Sequence, residues 1–219
     1  MNLDWSVIWD YRAAFATGIL NTVLLTVLTM LISIPGGLLV MVMRISRFAI
    51  LRHVALVYVE LFRATPLILL IYWTFYVLPV WLGVYLPPFA TGLLALSLIV
   101  SAYNSETFRA GVNSIRRGQW DAALALGMSN RQVMVKVILP QAIRRVLPVF
   151  ANTWVSLFKD TSLISVIAVN ELAYASLQVR AQTFRILEVL TAMAVIYWAL
   201  GYPQAKLVDW INRRFGVTE

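Results

Sequence analysis

The 219-residue sequence has no cysteine and only one histidine, His53. Disulfide bonds, thiol catalysis and cysteine-ligated metals are therefore excluded, and a lone imidazole leaves no basis for a metal centre. Charge is scarce too. Asp, Glu, Lys and Arg make up 13% of the chain against 61% hydrophobic residues, and the mean hydropathy is +0.79. No polar stretch is long enough to bury a water-soluble core, so the bilayer is the main solvent of this chain. No internal repeat, low-complexity run or Gly/Ser linker occurs, which removes support for the inverted-repeat architecture of many secondary transporters. None of Lys136, Lys159 and Lys206 follows a glycine, so there is no P-loop and no nucleotide site of that kind. No cofactor is expected on this chain. The net charge of +8 comes from basic residues beside apolar runs, not from a stripe interleaved with exposed aromatics, and no nucleic-acid partner is expected. The opening "MNLDWSVIWDYRAAF" lacks a basic region ahead of a short apolar core, so no cleavable signal peptide is expected.

What remains is an all-α, polytopic pattern. Five apolar stretches of membrane-spanning length fall at about 19–43, 66–82, 88–108, 146–169 and 186–208, with 54–62 a shorter apolar approach to the second. The whole chain, 1–219, reads as one transmembrane domain whose largest connecting loop is 109–147. Of the 18 Lys and Arg residues, 14 fall after the first span, after the third or at the end of the chain. Positive residues collect on the cytoplasmic side, so the N-terminus is expected outside and the C-terminus inside. Trp73, Trp81, Tyr85, Tyr197, Trp198 and Tyr202 are candidates for the interfacial belts.

Within the long loop, "DAALALGMSNRQVMVKVILP" (121–140) reads as two short helices hinged at Gly127. The alanines and leucines of 120–126 favour helix, and a glycine suits the left-handed residue that closes one. Ser129 and Gln132 have capping-box spacing, and Val133, Met134, Val137 and Ile138 form an apolar face. Pro140 is expected to interrupt or kink the second helix. Physics alone leaves two readings open: a rigid peg for a partner, or an amphipathic hairpin resting on lipid headgroups.

This stretch resembles the EAA signature of permease subunits in ATP-binding-cassette importers: Glu-Ala-Ala, three residues, Gly, nine residues, Ile-x-Leu-Pro. Asp121, Ala122 and Ala123 stand at the triplet, Gly127 at the glycine, and Val137, Leu139 and Pro140 at the terminal group. Two departures, Asp for Glu and Val for Ile, conserve charge or shape. "ELFRATPLIL" (60–69), "SETFRAGVNSIRRGQ" (105–119) and "KDTSLISV" (159–166) resemble the polar amino-acid branch of those permeases. The resemblance implies that the elbow is a coupling helix docking into a cytoplasmic ATPase subunit, two copies of which bind ATP and Mg. It also implies a second permease subunit, a homo- or heterodimer, and an extracytoplasmic amino-acid-binding protein. The location implied is the bacterial cytoplasmic membrane, with alternating access as the mechanism and no catalysis on this chain.

Embedded polar residues form the second constellation. Asn152, Ser156 and Lys159 fall at i, i+4, i+7 on one helical face, followed by Asp160, Thr161 and Ser162. Charge at that depth is costly and normally faces a wet cavity or a partner. Lys159 and Asp160 are thus candidates for a substrate pathway, or for a structural ion pair with each other, Glu106, Arg109 or Glu188. Leu163, one turn on, offers no carboxylate to a cationic side chain, which favours acidic or neutral polar substrates. Glu60 with Arg63 and Glu106 with Arg109 are spaced for local i, i+3 pairs, the second expected to clamp the elbow to the bundle. Thr22, Thr26, Thr29 and Ser33 stripe one face of the first span and read as helix packing. Pro35 with Gly36 and Gly37, Pro66 and Pro203 are expected to loosen or kink their helices. An ion-gradient-driven carrier, a channel and a structural assembly subunit remain alternatives.

Overall fold

The computed structural model describes residues 3–215; Met1, Asn2 and residues 216–219, including the chain ends whose sidedness the charge pattern addresses, lie outside them. Among the described residues the chain is helical and contains no strand. A short α1 (Ser6–Asp10) leads into α2 (Arg12–Arg44), whose 33 residues extend about 50 Å at 1.5 Å per residue, more than a hydrocarbon core needs. Next come α3 (Ala49–Ala64), then α4 (Leu67–Tyr72) and α5 (Leu78–Leu82), joined by a π turn, and α6 (Pro88–Asn113). The loop elements are α7 (Arg117–Ala125) and α8 (Asn130–Val133), which continues through a second π turn into α9 (Leu139–Asp160). A 3₁₀ segment (Thr161–Ile167), α10 (Leu172–Thr183) and α11 (Ile186–Phe215) complete the chain.

By length and composition α2, α6 and α11 qualify as membrane spans, and the pair Ala49–Ala64 plus Leu67–Leu82 forms a fourth if its 111° bend lies within one crossing. The bend has a local cause. Thr65 precedes Pro66, whose ring pushes the preceding residue out of the helical region, and Thr65 sits at φ −89°, ψ 131°. The apolar approach expected at 54–62 is therefore a separate helix set at an angle to the next. Both π turns, Trp73–Val77 and Met134–Ile138, lie just before a proline, Pro79 and Pro140. A wider turn accommodates the proline ring and its missing N–H, so Pro140 interrupts the regular α-helix, as expected, with a π turn and not with a break in the chain of helical residues. The stretch 146–169 is not one helix either. It begins inside α9, and the α-helix ends at Asp160, where the backbone tightens to 3₁₀ and then turns at Ala168, φ 59°.

The core is built from the α2–α6 contact. The Thr22, Thr26, Thr29 and Ser33 stripe is fully buried, and Asn104 Nδ2 donates to Ser33 Oγ at 3.1 Å. At Gly37 an added Cβ would fall 2.6 Å from Asn104 Cβ and 2.9 Å from the Ser101 carbonyl. Small residues thus let two backbones touch, the packing mode available where lipid supplies no hydrophobic drive. Leu25, Ile71, Leu96, Leu157 and Ile164 fill the main core across α2, α4, α6, α9 and the 3₁₀ segment, while Val7, Phe15, Leu172, Val179 and Val189 fill a smaller one under α10 and α11. Of the aromatic residues assigned to interfacial belts, Trp81, Tyr85, Trp198 and Tyr202 are strongly exposed. Tyr197 instead turns inward to bond Glu171.

Candidate functional site

The elbow is closed at both helix ends by local hydrogen bonds. Gly127 adopts φ +77°, its N–H reaches the Leu124 carbonyl at 2.9 Å, and the Met128 N–H reaches Ala123 at 3.3 Å. That pair of bonds is a Schellman closure, which satisfies carbonyls α7 would otherwise leave open. Across the hinge Ser129 caps α8: the Gln132 N–H donates to Ser129 Oγ, and the Ser129 N–H donates to Gln132 Oε1 at 2.8 Å. Ala123, Val133, Ile138 and Ala142 then bury against Ile115, giving the elbow its own small core. Asp121, Ala122, Ala125 and Leu126 face outward at its tip, Leu126 with 82% of its surface exposed. Val137, Leu139 and Pro140 form the return limb. Residues 109–113, assigned to the loop by sequence, belong to α6, and 139–147 belong to α9.

Glu106 is the hub of an ion-pair cluster that contains the expected Arg109 pair and adds two partners from other helices. Arg109 Nη2 lies 2.6 Å from Glu106 Oε2, Arg44 Nη1 contacts Oε1, and Arg63 Nη1 stands 3.9 Å away. Arg63 therefore pairs across to α6 and sits over the Tyr103 ring at 5.7 Å, while Glu60 is exposed on its own helix. The local Glu60–Arg63 pair is corrected, because Glu106 offers a half-shielded carboxylate and Glu60 a solvated one. The cluster joins the ends of α2, α3 and α6, not the bundle to the elbow. The elbow is tied instead by Arg145 Nη1, which donates to the Ser114 carbonyl, and by Gln141 Nε2, which donates to Gln119 Oε1 at 3.3 Å.

The C-terminal end of α9 separates the residues that spacing had grouped. Asn152, Ser156 and Asp160 line a cleft of ≈ 680 Å³ together with Arg63, Thr65, Tyr103, Thr107 and Leu163. Lys159 and Ser162 line a different groove of ≈ 640 Å³ against α11, among Phe158, Tyr197, Trp198 and Tyr202. Thr161 is fully buried and its hydroxyl donates to the Phe158 carbonyl at 2.8 Å. Among the described residues neither Lys159 nor Asp160 is in an ion pair with Glu106, Arg109 or Glu188. The i, i+4, i+7 grouping is corrected because Lys159 sits at the edge of that face, where α11 supplies a second neighbour.

Two features were missed. Thr65, Tyr103, Thr107 and Thr153 line the cleft from the α3–α4 junction and two helices, α6 and α9, a convergence no single segment displays. Glu171 is fully buried and caps α10, accepting the Ala173 and Tyr174 N–H groups at 2.8 and 2.6 Å and the Tyr197 hydroxyl at 2.9 Å. Burial pushes its carboxyl above the ordinary range, against the pull of those donors. An acidic residue just before the alanine-rich run 172–176 was a readable cap signal.

A bundle of long apolar helices bearing a polar-lined cleft and a preformed elbow defines a helical membrane transport subunit. The chain belongs to the family described as binding-protein-dependent transport system inner membrane component, whose model matches residues 33–217. It is 36% identical to the L-cystine transport system permease protein TcyB of Bacillus subtilis, covering 98% of this chain and 94% of that protein. It is 34% identical to the glutamine transport system permease protein GlnP of Escherichia coli, covering 99% and 100%. The crystal structure of an amino acid ABC transporter with histidines matches at a TM-score of 0.92 and 32% identity, over 98% of this chain and 100% of that one. The MetNI methionine ABC transporter shares the fold at a TM-score of 0.69 and 21% identity, over 96% and 94%.

Proposed function

We propose that this chain is the permease subunit of an ATP-driven, binding-protein-dependent importer that moves polar amino acids across the bacterial cytoplasmic membrane. The observation that carries the reading is the elbow. Its Schellman closure, capping box and private core make 117–138 a rigid unit with an exposed apolar tip, the form a lever needs to transmit force to a partner. In this reading residues 109–147 lie in the cytoplasm and the tip enters a cleft of an ATPase subunit, present in two copies. ATP and Mg bind there. The ATPases close on nucleotide and push two elbows together, and two permease subunits rock between inward-facing and outward-facing states. The chain crosses the membrane five times, N-terminus outside and C-terminus inside, with α9 as the fourth crossing. The distribution of Lys and Arg supports that orientation.

The cleft lined by Asn152, Ser156 and Asp160 is this subunit's half of the pathway, and its dimer partner supplies the rest. Asp160 is the residue we assign to the substrate's ammonium group. Leu163 stands where a second carboxylate would be needed to hold a cationic side chain, and Arg63 adds positive charge to the same cleft. Both favour acidic or neutral polar amino acids over cationic ones. An extracytoplasmic binding protein delivers the substrate. Gentle solubilisation of a tagged chain tests the reading: an ATPase subunit and a second permease copy co-purify, and uptake in vesicles follows ATP. Recovery of the chain alone under several mild detergents, with uptake that collapses on adding an ionophore, would establish the gradient-driven carrier instead.

A further inference from the structure

A second charged concavity lies at the root of the elbow, away from the pathway cleft. Gln141, Arg144, Arg145, Arg214 and Phe215 line a pocket of ≈ 480 Å³. Arg144 and Arg145 come from the second turn of α9 and Arg214 from the last turn of α11, so the inner ends of two bundle helices meet there. Arg145 is held by the Ser114 carbonyl, which fixes one guanidinium before anything binds. No lining residue is acidic, and among the described residues none of the three arginines is in an ion pair. Three like charges around one concavity repel, and the C-terminal end of α11 relieves that only in part. A bound anion relieves it further. Guanidinium forks match phosphate oxygens two at a time, which makes a phosphate the best-fitting group.

The surroundings identify the source. Leu207, Trp210 and Arg214 stand at i, i+3, i+7, on one face of α11, and Leu207 and Trp210 are 57% and 54% exposed. An apolar strip thus runs along α11 toward the arginine pocket, and it carries a tryptophan, a residue type enriched at membrane interfaces. A free phosphate would have no use for that strip; a phospholipid would lay its acyl chains along it. We propose that the pocket between α9 and α11 binds the phosphate headgroup of an anionic phospholipid from the cytoplasmic leaflet, resting on the orientation given above. The bound lipid bridges the start of α9, which carries the elbow, to the end of the chain.

The test uses the assembled importer, with its ATPase, in nanodiscs of phosphatidylcholine containing phosphatidylglycerol, followed by mild delipidation and native mass spectrometry. The wild type retains phosphatidylglycerol. The Arg144→Gln/Arg214→Gln variant, which spares the Arg145–Ser114 bond, retains roughly fivefold less per arginine removed while the complex stays assembled. The Arg144→Lys/Arg214→Lys variant keeps most of it. Equal retention by wild type and the glutamine variant overturns the proposal, as does equal retention of phosphatidylcholine. Displacement of the lipid by millimolar inorganic phosphate reassigns the pocket to a free anion. Loss of the ATPase subunit from the glutamine variant, with lipid unchanged, reassigns it to an acidic protein surface. Orientation is read separately: this cysteine-free chain with Asn212→Cys should react with an impermeant thiol reagent only in inside-out vesicles. Reaction in right-side-out vesicles sinks the topology whatever the lipid result.

Discussion

The two ends of α9 are held by different physics. At the N-terminal end, the bonds that close the elbow span three to five residues: Ser129 to Gln132, Gly127 to Leu124, Met128 to Ala123. At the C-terminal end, Lys159 and Asp160 are sequence neighbours that diverge, one into a groove against α11 and the other into a cleft against α3 and α6. The N-terminal end is therefore a part closed by its own local bonds. The C-terminal end is a boundary whose two sides are set by helices distant in sequence, and a rearrangement of those helices changes what each side chain faces. In the proposed reading, a coupling lever and a substrate pathway need those opposite properties.

The largest effect should come from splitting the pair Lys159 and Asp160. Asp160→Ala should lower uptake roughly thirtyfold or more, the factor matching about 2 kcal/mol lost with a buried charge contact. Lys159→Ala, in the groove against α11, should change uptake less than threefold by the same scale. Both are measured as radiolabelled amino-acid uptake in proteoliposomes of the whole importer, with assembly checked by gel filtration. Equal losses at the two positions would erase the distinction between the two sides of α9.

Gly127 tests the N-terminal end. Nothing lies within 4 Å of a Cβ added there, so the constraint is its φ of +77° and not space. A bulky side chain costs about 1–2 kcal/mol in that region, whereas asparagine visits it readily. Gly127→Trp should leave the protein inserted but uncouple it, abolishing substrate-stimulated ATP hydrolysis, and Gly127→Asn should keep most of it. Normal stimulation in the tryptophan variant would remove the elbow from the coupling mechanism.

This contrast also decides what a reader of the sequence can see. Gly127, Ser129, Gln132 and the apolar positions 133, 134, 137 and 138 each act on neighbours within one or two turns, so their spacing is the structure. The burial of Thr22, Thr26, Thr29 and Ser33 was legible for the same reason, since a stripe of hydroxyls needs only one helix to be seen. The side of α9 to which Lys159 belongs was not, because 159 lies near the seam between two faces and the choice is made by where α11 packs. Arg63 was paired with Glu60 by spacing, but a shielded carboxylate on another helix won. The 111° turn at Thr65–Pro66 was half visible: proline marked a boundary, and only packing of α4 against α6 gave its angle.

Ser129 should give the smallest and most local effect, and for that reason it sharpens the contrast best. Its hydroxyl accepts one N–H, from Gln132, and the Gln132 side chain returns a bond to the Ser129 amide. Replacing an N-cap serine by alanine costs about 1 kcal/mol. In Ser129→Ala the Gln132 amide should exchange hydrogen about fivefold faster, as expected for that loss of local stability. Amides of α9 beyond Ala142 should be unaffected, because the elbow core of Ile115, Ala123, Val133 and Ile138 does not depend on the cap. Faster exchange confined to 129–133 means that the elbow is a self-contained unit. Exchange that speeds up as far as Asp160 would mean that cap, π turn and pathway face open together, and the two ends of α9 would then be one cooperative element.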